Sequence, residues 1–210
     1  MSPGLEEIFN CVHDGKVPPL WGKTYPSLKP LAAWTSDLRQ RVEQLARWAQ
    51  TSRPPALLWL SGFTSPKALL TAVLQSYARQ HQQKPVDLLS WEFTVSTVDD
   101  SHLLHPPQQD GVLVRGLFLQ GAAWDRKNSC LVEAQPMQMF CPMPSVHFKP
   151  SDNRKKTPRS VYVCPCFSSP QRSGSAAADL FVAAVDLKSG ALTPDHWVKR
   201  GTALVLSLDH

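Results

Sequence analysis

The hydrophobic period of this 210-residue sequence changes near Val86, and that change limits the fold more than any single motif does. Before it, apolar residues recur every three or four positions. Leu31, Trp34, Leu38, Val42, Leu45, Trp48 and Ala49 share one helical stripe, and Pro30 opens it, since proline fits a first turn where a missing N–H is harmless. Ser2-Pro3 starts an earlier helix bearing Leu5, Ile8, Phe9 and Val12, which Gly15 ends. Ser65-Pro66 starts a later one bearing Leu69, Leu70, Val73, Leu74 and Tyr77, which stops before Lys84-Pro85. Between them, residues 56–60 form a short apolar run that reads as a buried extended segment. After Val86 the period becomes two: Leu89, Trp91, Phe93 and Val95 alternate with Ser90, Glu92, Thr94 and Ser96, the pattern of a strand with one buried face.

Further strand candidates follow at 112–120, 130–140, 145–149, 160–167, 180–187 and 200–208, separated by turn-rich or proline-rich stretches. The expected architecture is therefore α+β: an N-terminal helical segment over 1–85, then a six- or seven-stranded antiparallel β-barrel-like domain over 86–210. The tract 110–126, DGVLVRGLFLQGAAWDR, is central to the second part. Asp110-Gly111 is a turn signal, and Gly116 and Gly121 interrupt two apolar runs at places where a strand bends or a backbone approaches closely. The tract ends in Trp124-Asp125-Arg126. Trp and Arg are common interface anchors; equally, Asp125 can cap a turn at Lys127-Asn128 while Trp124 packs on the sheet and Arg126 covers it.

An apolar content of 42%, with seven Trp and eight Phe, is enough for a real core. No apolar run approaches the ~20 residues that cross a bilayer, and the N-terminus lacks the basic-then-apolar order of a secretion signal, so a soluble, intracellular protein is expected. Five cysteines at uneven spacing point to reduced thiols and no disulfide framework. Cys164-Pro-Cys166 with Cys141 and His147 lacks the paired spacing of a zinc module, and buried strand cysteines are the better reading. The net charge of +5 is uneven: residues 1–105 hold ten Lys/Arg against nine Asp/Glu, and residues 106–210 twelve against eight. Much of the excess lies in the basic run at 149–159. Such a run can meet an acidic partner surface or nucleic acid, but without interleaved aromatics a solvated hairpin loop is the better reading. Residues 168–178 are small and polar, and read as another loop between strands.

Catalytic signatures fail on inspection. Gly22-Lys23-Thr24 resembles the end of a phosphate-binding loop, but the first glycine of that frame is replaced by Val17, and Pro18-Pro19 and Pro26 disrupt the window. Ser61-Gly62 lacks the flanking glycines of a nucleophile elbow and reads as a turn. The histidines have no partners at metal-ligand spacing, so neither a metal nor another cofactor is expected.

The 110–126 tract resembles the C-terminal region of dynein heavy chains, especially the axonemal ones. Four further segments agree in order: Val17-Pro-Pro-Leu-Trp21, Tyr25-Pro-Ser-Leu-Lys-Pro-Leu31, Trp59-Leu-Ser-Gly-Phe63 and Trp197-Val-Lys-Arg-Gly201. Residues 171–180 and the basic Arg154-Lys-Lys156 depart from the family pattern. The resemblance implies helices followed by a small β-barrel lying against one face of an AAA+ ring. It also implies a regulatory, non-catalytic role in microtubule-based movement, with ATP hydrolysis and microtubule binding carried elsewhere in the heavy chain. The implied partners are the AAA+ ring and other dynein complex subunits, including intermediate and light intermediate chains. Microtubules are reached only indirectly, and neither nucleic acid nor membrane is involved. The implied location is cytoplasm, cytoskeleton and ciliary axoneme. Docking is expected through Trp34, Trp48 and Trp124-Asp125-Arg126, with residues 25–31 positioning the connecting segment. The last residues look like a natural heavy-chain terminus, and the sequence reads as a fragment, a short isoform or a truncated gene product. The rival expectation is a stand-alone adaptor that binds dynein chains without motor activity.

Overall fold

The computed structural model describes residues 2–51, 55–81, 85–98, 110–152, 158–168 and 180–207. Several helices start at a first-turn proline, among them α1 (Pro3–His13), α2 (Pro19–Thr24) and the later α4 (Pro66–Gln80), whose Ser65 hydroxyl accepts the Ala68 amide at 3.4 Å. Helix α2 departs from the sequence expectation, in which Pro18-Pro19 is only a break. Pro19 is in fact a first-turn proline like the others. Between α2 and α4 come α3 (Leu31–Thr51), β1 (Leu57–Trp59) and a single 3-10 turn, Leu60–Gly62.

The remainder is mostly β: β2 (Ser90–Val95), β3 (Val112–Arg115), β4 (Phe118–Gln120), β5 (Ala123–Asp125), β6 (Cys130–Val132), β7 (Phe140–Pro142), β8 (Val146–Ser151), β9 (Val161–Phe167), β10 (Phe181–Lys188), the short α5 (Pro194–Lys199) and β11 (Ala203–Val205). Among the described residues the strands form three sheets, ordered β1-β3-β8-β2, β10-β9-β11-β4-β7 and β5-β6.

The α+β class holds, with most of the helices in the first part and most of the strands in the second, β1 and α5 excepted. Three details differ from expectation. The run at 112–120 is two strands in different sheets, because Gly116, at φ +76°, turns the backbone between β3 and β4; a Cβ there would lie 2.8 Å from the Trp59 ring. The run at 130–140 likewise divides into β6 and β7 around a turn closed by the Gln138 amide on the Gln135 carbonyl at 3.0 Å. Finally, the sheets are not purely antiparallel. β1 lies parallel to β3 and β11 parallel to β9, and among the described residues no ladder joins the sheets into a closed ring.

One apolar core joins the two larger sheets. Fully buried Phe148 receives the edges of Phe93 and Trp91 at 5.0 and 5.9 Å between centroids, so the period-two reading of β2 put the right residues inside. On β9 the inward set is Tyr162, Cys164 and Cys166. Leu70 of α4 enters the same core, and Trp197 of α5 is wholly buried, its indole N–H donating to the Ser189 carbonyl at 3.0 Å. No helix among the described residues is long and apolar enough to cross a membrane. The loop expected at 168–178 and the Arg154-Lys-Lys156 run lie outside the described residues, apart from Ser168, whose amide donates to the Leu180 carbonyl.

Candidate docking surface

The stripe expected to bury α3 is rotated in the structure. Trp34 is buried and Trp48 half-buried, but Val42 and Leu45 face solvent, and the polar Asp37 and Gln44 turn inward instead. Each has a reason to do so. Asp37 pairs with Lys29 at 2.8 Å in a nearly enclosed site. Gln44 accepts the Trp59 amide on Oε1 at 2.8 Å and donates from Nε2 to the Trp59 carbonyl at 3.2 Å. Its side chain thus stands in for a neighbouring strand on the open edge of β1.

Trp34 therefore does not present a face to a partner. It is 5% exposed, stacks on Trp21 at 6.0 Å, meets the Tyr25 ring edge-on at 5.9 Å and donates its indole N–H to the Tyr25 carbonyl at 2.8 Å. Arg41 lies 5.2 Å over the same Tyr25 ring. This cluster, with the Lys29–Asp37 pair, holds the segment before α3 against that helix, and the Leu31 amide on the Gly15 carbonyl at 3.0 Å ties the start of α3 to the turn after α1.

Trp48 meets Phe63 edge-on at 6.1 Å and walls a cleft of about 400 Å³. The opposite wall comes from Leu69, Val73 and Tyr77 of α4, and the floor from Leu58 and Val112. At its mouth the Asp110 carboxylate meets His81 Nε2 at 3.0 Å, and the Asp110 carbonyl meets His147 Nε2 at 3.1 Å. Burial holds the His147 pKa below the usual imidazole value.

The Trp124-Asp125-Arg126 corner is the end of β5 and the first residue of the loop that joins it to β6. Trp124 packs on the core, while Asp125 accepts the Lys127 and Asn128 amides at 2.8 and 3.2 Å and the Asn128 side chain at 2.6 Å. The Asn128 side chain, above all, holds the Asp125 carboxyl below the usual carboxylate range. Arg126 is exposed. The turn-capping role thus accounts for Asp125, and a surface role stays open to Trp124 and Arg126.

Two features have no counterpart in the sequence reading. Helix α1 has no buried residue: Leu5, Phe9 and Val12 are 56%, 60% and 42% exposed. An amphipathic pattern looks the same whether its face is covered or bare. Glu133, beyond β6, pairs with Arg200 and with His196 at 2.5 Å; Arg200 first, then His196, lowers its carboxyl pKa. No spacing rule links these residues.

Gly22-Lys23-Thr24, the Cys164-Pro-Cys166 pair and Ser61-Gly62 each sit in regular local structure. Gly22-Lys23-Thr24 is helical, and the Gly22 and Tyr25 amides bond to the Pro18 and Trp21 carbonyls, so they do not form a phosphate cradle. Cys164 and Cys166 are buried strand residues, with burial raising the Cys164 thiol to about 12 and Cys166 higher still. All five cysteines are free thiols. Ser61 lies in the expected turn and is buried.

The family model for the C-terminal domain of the dynein heavy chain matches residues 1–206. The sequence is 64% identical over 209 residues to human dynein axonemal heavy chain 2, 49% identical over 208 residues to the dynein-1-beta heavy chain of the flagellar inner arm I1 complex of Chlamydomonas reinhardtii, and 38% identical over 214 residues to human dynein axonemal heavy chain 12. These matches take in 99–100% of this protein but only 4–7% of the relatives' length. The protein belongs to the family of C-terminal domains of dynein heavy chains.

Proposed function

We propose that this protein is a non-catalytic C-terminal domain of an axonemal-type dynein heavy chain, which packs on the AAA+ motor ring and biases its cycle by contacting different ring states unequally. The observation that carries the reading is the uncovered apolar surface of the helical part: Leu5, Phe9 and Val12 on α1, and Val42 and Leu45 on α3, face solvent in the isolated domain. Exposed apolar patches mark contact surfaces. On this reading the ring and other dynein subunits, including intermediate and light intermediate chains, are the partners. Microtubules are reached through the rest of the motor, and the site of action is the axoneme of a cilium, part of the cytoskeleton and cytoplasm.

Trp48 and the Trp124–Arg126 corner dock directly, and Trp34 acts through the Trp21–Tyr25 cluster that sets the face of α3. Residues 1–85 make the ring-facing helical part, and residues 86–210 an open barrel-like part. The shared core of the two larger sheets and the sharp passage from β3 to β4 support that description.

The test is a recombinant heavy-chain motor carrying this domain with Leu5→Ser, Phe9→Ser and Val12→Ser. The expected result is altered microtubule-stimulated ATPase and gliding velocity, with no loss in the melting temperature of the domain alone. Unchanged motor output would overturn the proposal. The same bare face also favours a second reading, an adaptor that binds in trans. Only that reading expects the purified domain to associate at micromolar concentration with a motor lacking its own C-terminal domain.

A further inference from the structure

We propose that Ser129, at the tip of the β5–β6 hairpin, is a phosphorylation site for a basophilic serine kinase that uses MgATP. Such kinases recognise arginine three residues before the acceptor and a second basic residue two before it, through acidic groups in the substrate groove. Arg126-Lys127-Asn128-Ser129-Cys130 has that order.

The same spacing occurs at two other places, and the structure and sequence separate them. Lys199-Arg200-Gly201 precedes Thr202, which is wholly buried, with Thr202 Oγ1 on the Gly121 carbonyl at 3.4 Å. Arg154-Lys155-Lys156 precedes Thr157, which is followed by Pro158, a residue that fixes its own φ and restricts the acceptor before it. In contrast, Arg126, Lys127 and Asn128 are all exposed, and Ser129 is half-exposed.

The hairpin can present this loop at small cost. Its ladder has three pairs, Ala123↔Val132, Trp124↔Leu131 and Asp125↔Cys130, and the core anchors the middle one through buried Leu131. Only the four loop residues need to straighten. Ser129 starts at φ +51°, a conformation that a residue with a Cβ gives up readily. The restraint on opening is the Asp125 carboxylate, with its three bonds into the loop.

In the reaction, Ser129 Oγ attacks the γ-phosphorus of ATP, the bond from that phosphorus to the bridging oxygen breaks, ADP leaves, and the hydroxyl proton passes to a carboxylate base of the kinase. The product adds about 1.5 to 2 negative charges. In the same loop Arg126 and Lys127 attract them and Asp125 repels them, so the modification works against the cap that shapes the loop. If the corner docks as proposed above, phosphorylation switches that contact; this consequence rests on the docking reading, whereas the site itself does not.

The experiment treats the 210-residue protein with MgATP and the catalytic subunit of cyclic-AMP-dependent protein kinase, and maps phosphate by tandem mass spectrometry. The expected result is one phosphate at Ser129, absent in Ser129→Ala, formed about tenfold more slowly or worse in Arg126→Ala, and formed faster in Asp125→Ala, where the loop is released. Phosphate confined to Thr157, incorporation unaffected by Ser129→Ala, or no incorporation into the folded protein would each overturn the proposal. A separate arm compares phosphorylated and unmodified protein for association with a motor lacking its C-terminal domain. Equal association there would remove the switching role and leave the mapped site intact.

Discussion

Gln44 bonds α3 to the sheet, and replacing it tests that reading directly. Among the described residues β1 is an edge strand, paired with β3 alone, and the outward amide and carbonyl of Trp59 are met by the two ends of the Gln44 side chain. Gln44→Leu keeps the side-chain bulk and nearly the same helix propensity, so helix formation by α3 itself changes little. What it removes is two hydrogen bonds in a site where Gln44 and Trp59 are both buried. Each backbone group stranded without a partner costs about 1–3 kcal/mol, and some of that returns through apolar contact, leaving a net loss of about 2–4 kcal/mol. Urea unfolding at pH 7, followed by far-UV circular dichroism, measures it.

Gln44→Glu sharpens the test, because it retains the acceptor for the Trp59 amide but sets a carboxylate oxygen against the Trp59 carbonyl. The protonated acid can donate to that carbonyl, and the ionised form cannot. The pKa of the introduced carboxyl is therefore raised in the folded state. Between its unfolded value of about 4.3 and the raised folded value, the native state binds more protons than the unfolded one, so stability falls as pH rises. The deficit of Gln44→Glu relative to the parent protein should be small near pH 4 and grow toward pH 7. A loss under about 0.5 kcal/mol for Gln44→Leu, or a Gln44→Glu deficit that does not vary with pH, would refute the bridging role.

Three other outcomes follow from the structure. Gly111→Ala should destabilise by about 3 kcal/mol or more in thermal unfolding, since Gly111 holds φ +106° and a Cβ would fall 2.1 Å from the Phe148 carbonyl oxygen, a backbone atom held in the β3–β8 pairing. Iodoacetamide at pH 8 should leave Cys164 and Cys166 unmodified in the native protein and label them only in urea, as peptide mass spectrometry would report; burial keeps both thiols protonated there. Glu133→Gln should flatten the acid limb of the stability curve. Arg200 and His196 lower the Glu133 pKa, so the native state binds fewer protons than the unfolded state and loses stability as pH falls below about 5; the variant, with nothing to titrate, should not show that part of the decline in urea titrations at pH 3–6.

The sequence exposes the local rules well and the long-range ones poorly. First-turn prolines mark the starts of α1 and α4, and strict alternation places Trp91, Phe93 and Val95 on the core side of β2. The same proline rule finds α2 once Pro19 is read as a first-turn residue and not only as half of a break. Parallel pairing of β1 with β3 brings Leu57 beside Leu113, and no local pattern encodes a partner that far away. Glycine positions show that the backbone bends near Gly116, but not that the bend passes from one sheet into another. The turn at Lys127-Asn128 is legible because Asp125 caps it within three residues.

The candidate surface is the least legible part, for a reason that lies in the helices themselves. Asp37 and Gln44 interrupt an apolar stripe on α3, and spacing alone would turn them outward. They turn inward because Lys29 and the Trp59 backbone satisfy them, and this rotation is what leaves Val42 and Leu45 bare. Helix α1 poses the converse problem: its pattern is that of a core helix, yet it buries none of its residues in this structure. An isolated helix of eleven residues is marginal in water, because nucleation is unfavourable and few hydrogen bonds follow it. If docking covers Leu5, Phe9 and Val12 as proposed, that contact should add to the stability of α1. That makes its helicity, in the domain alone and in a complete motor, a physical measure of the docking proposed for this face.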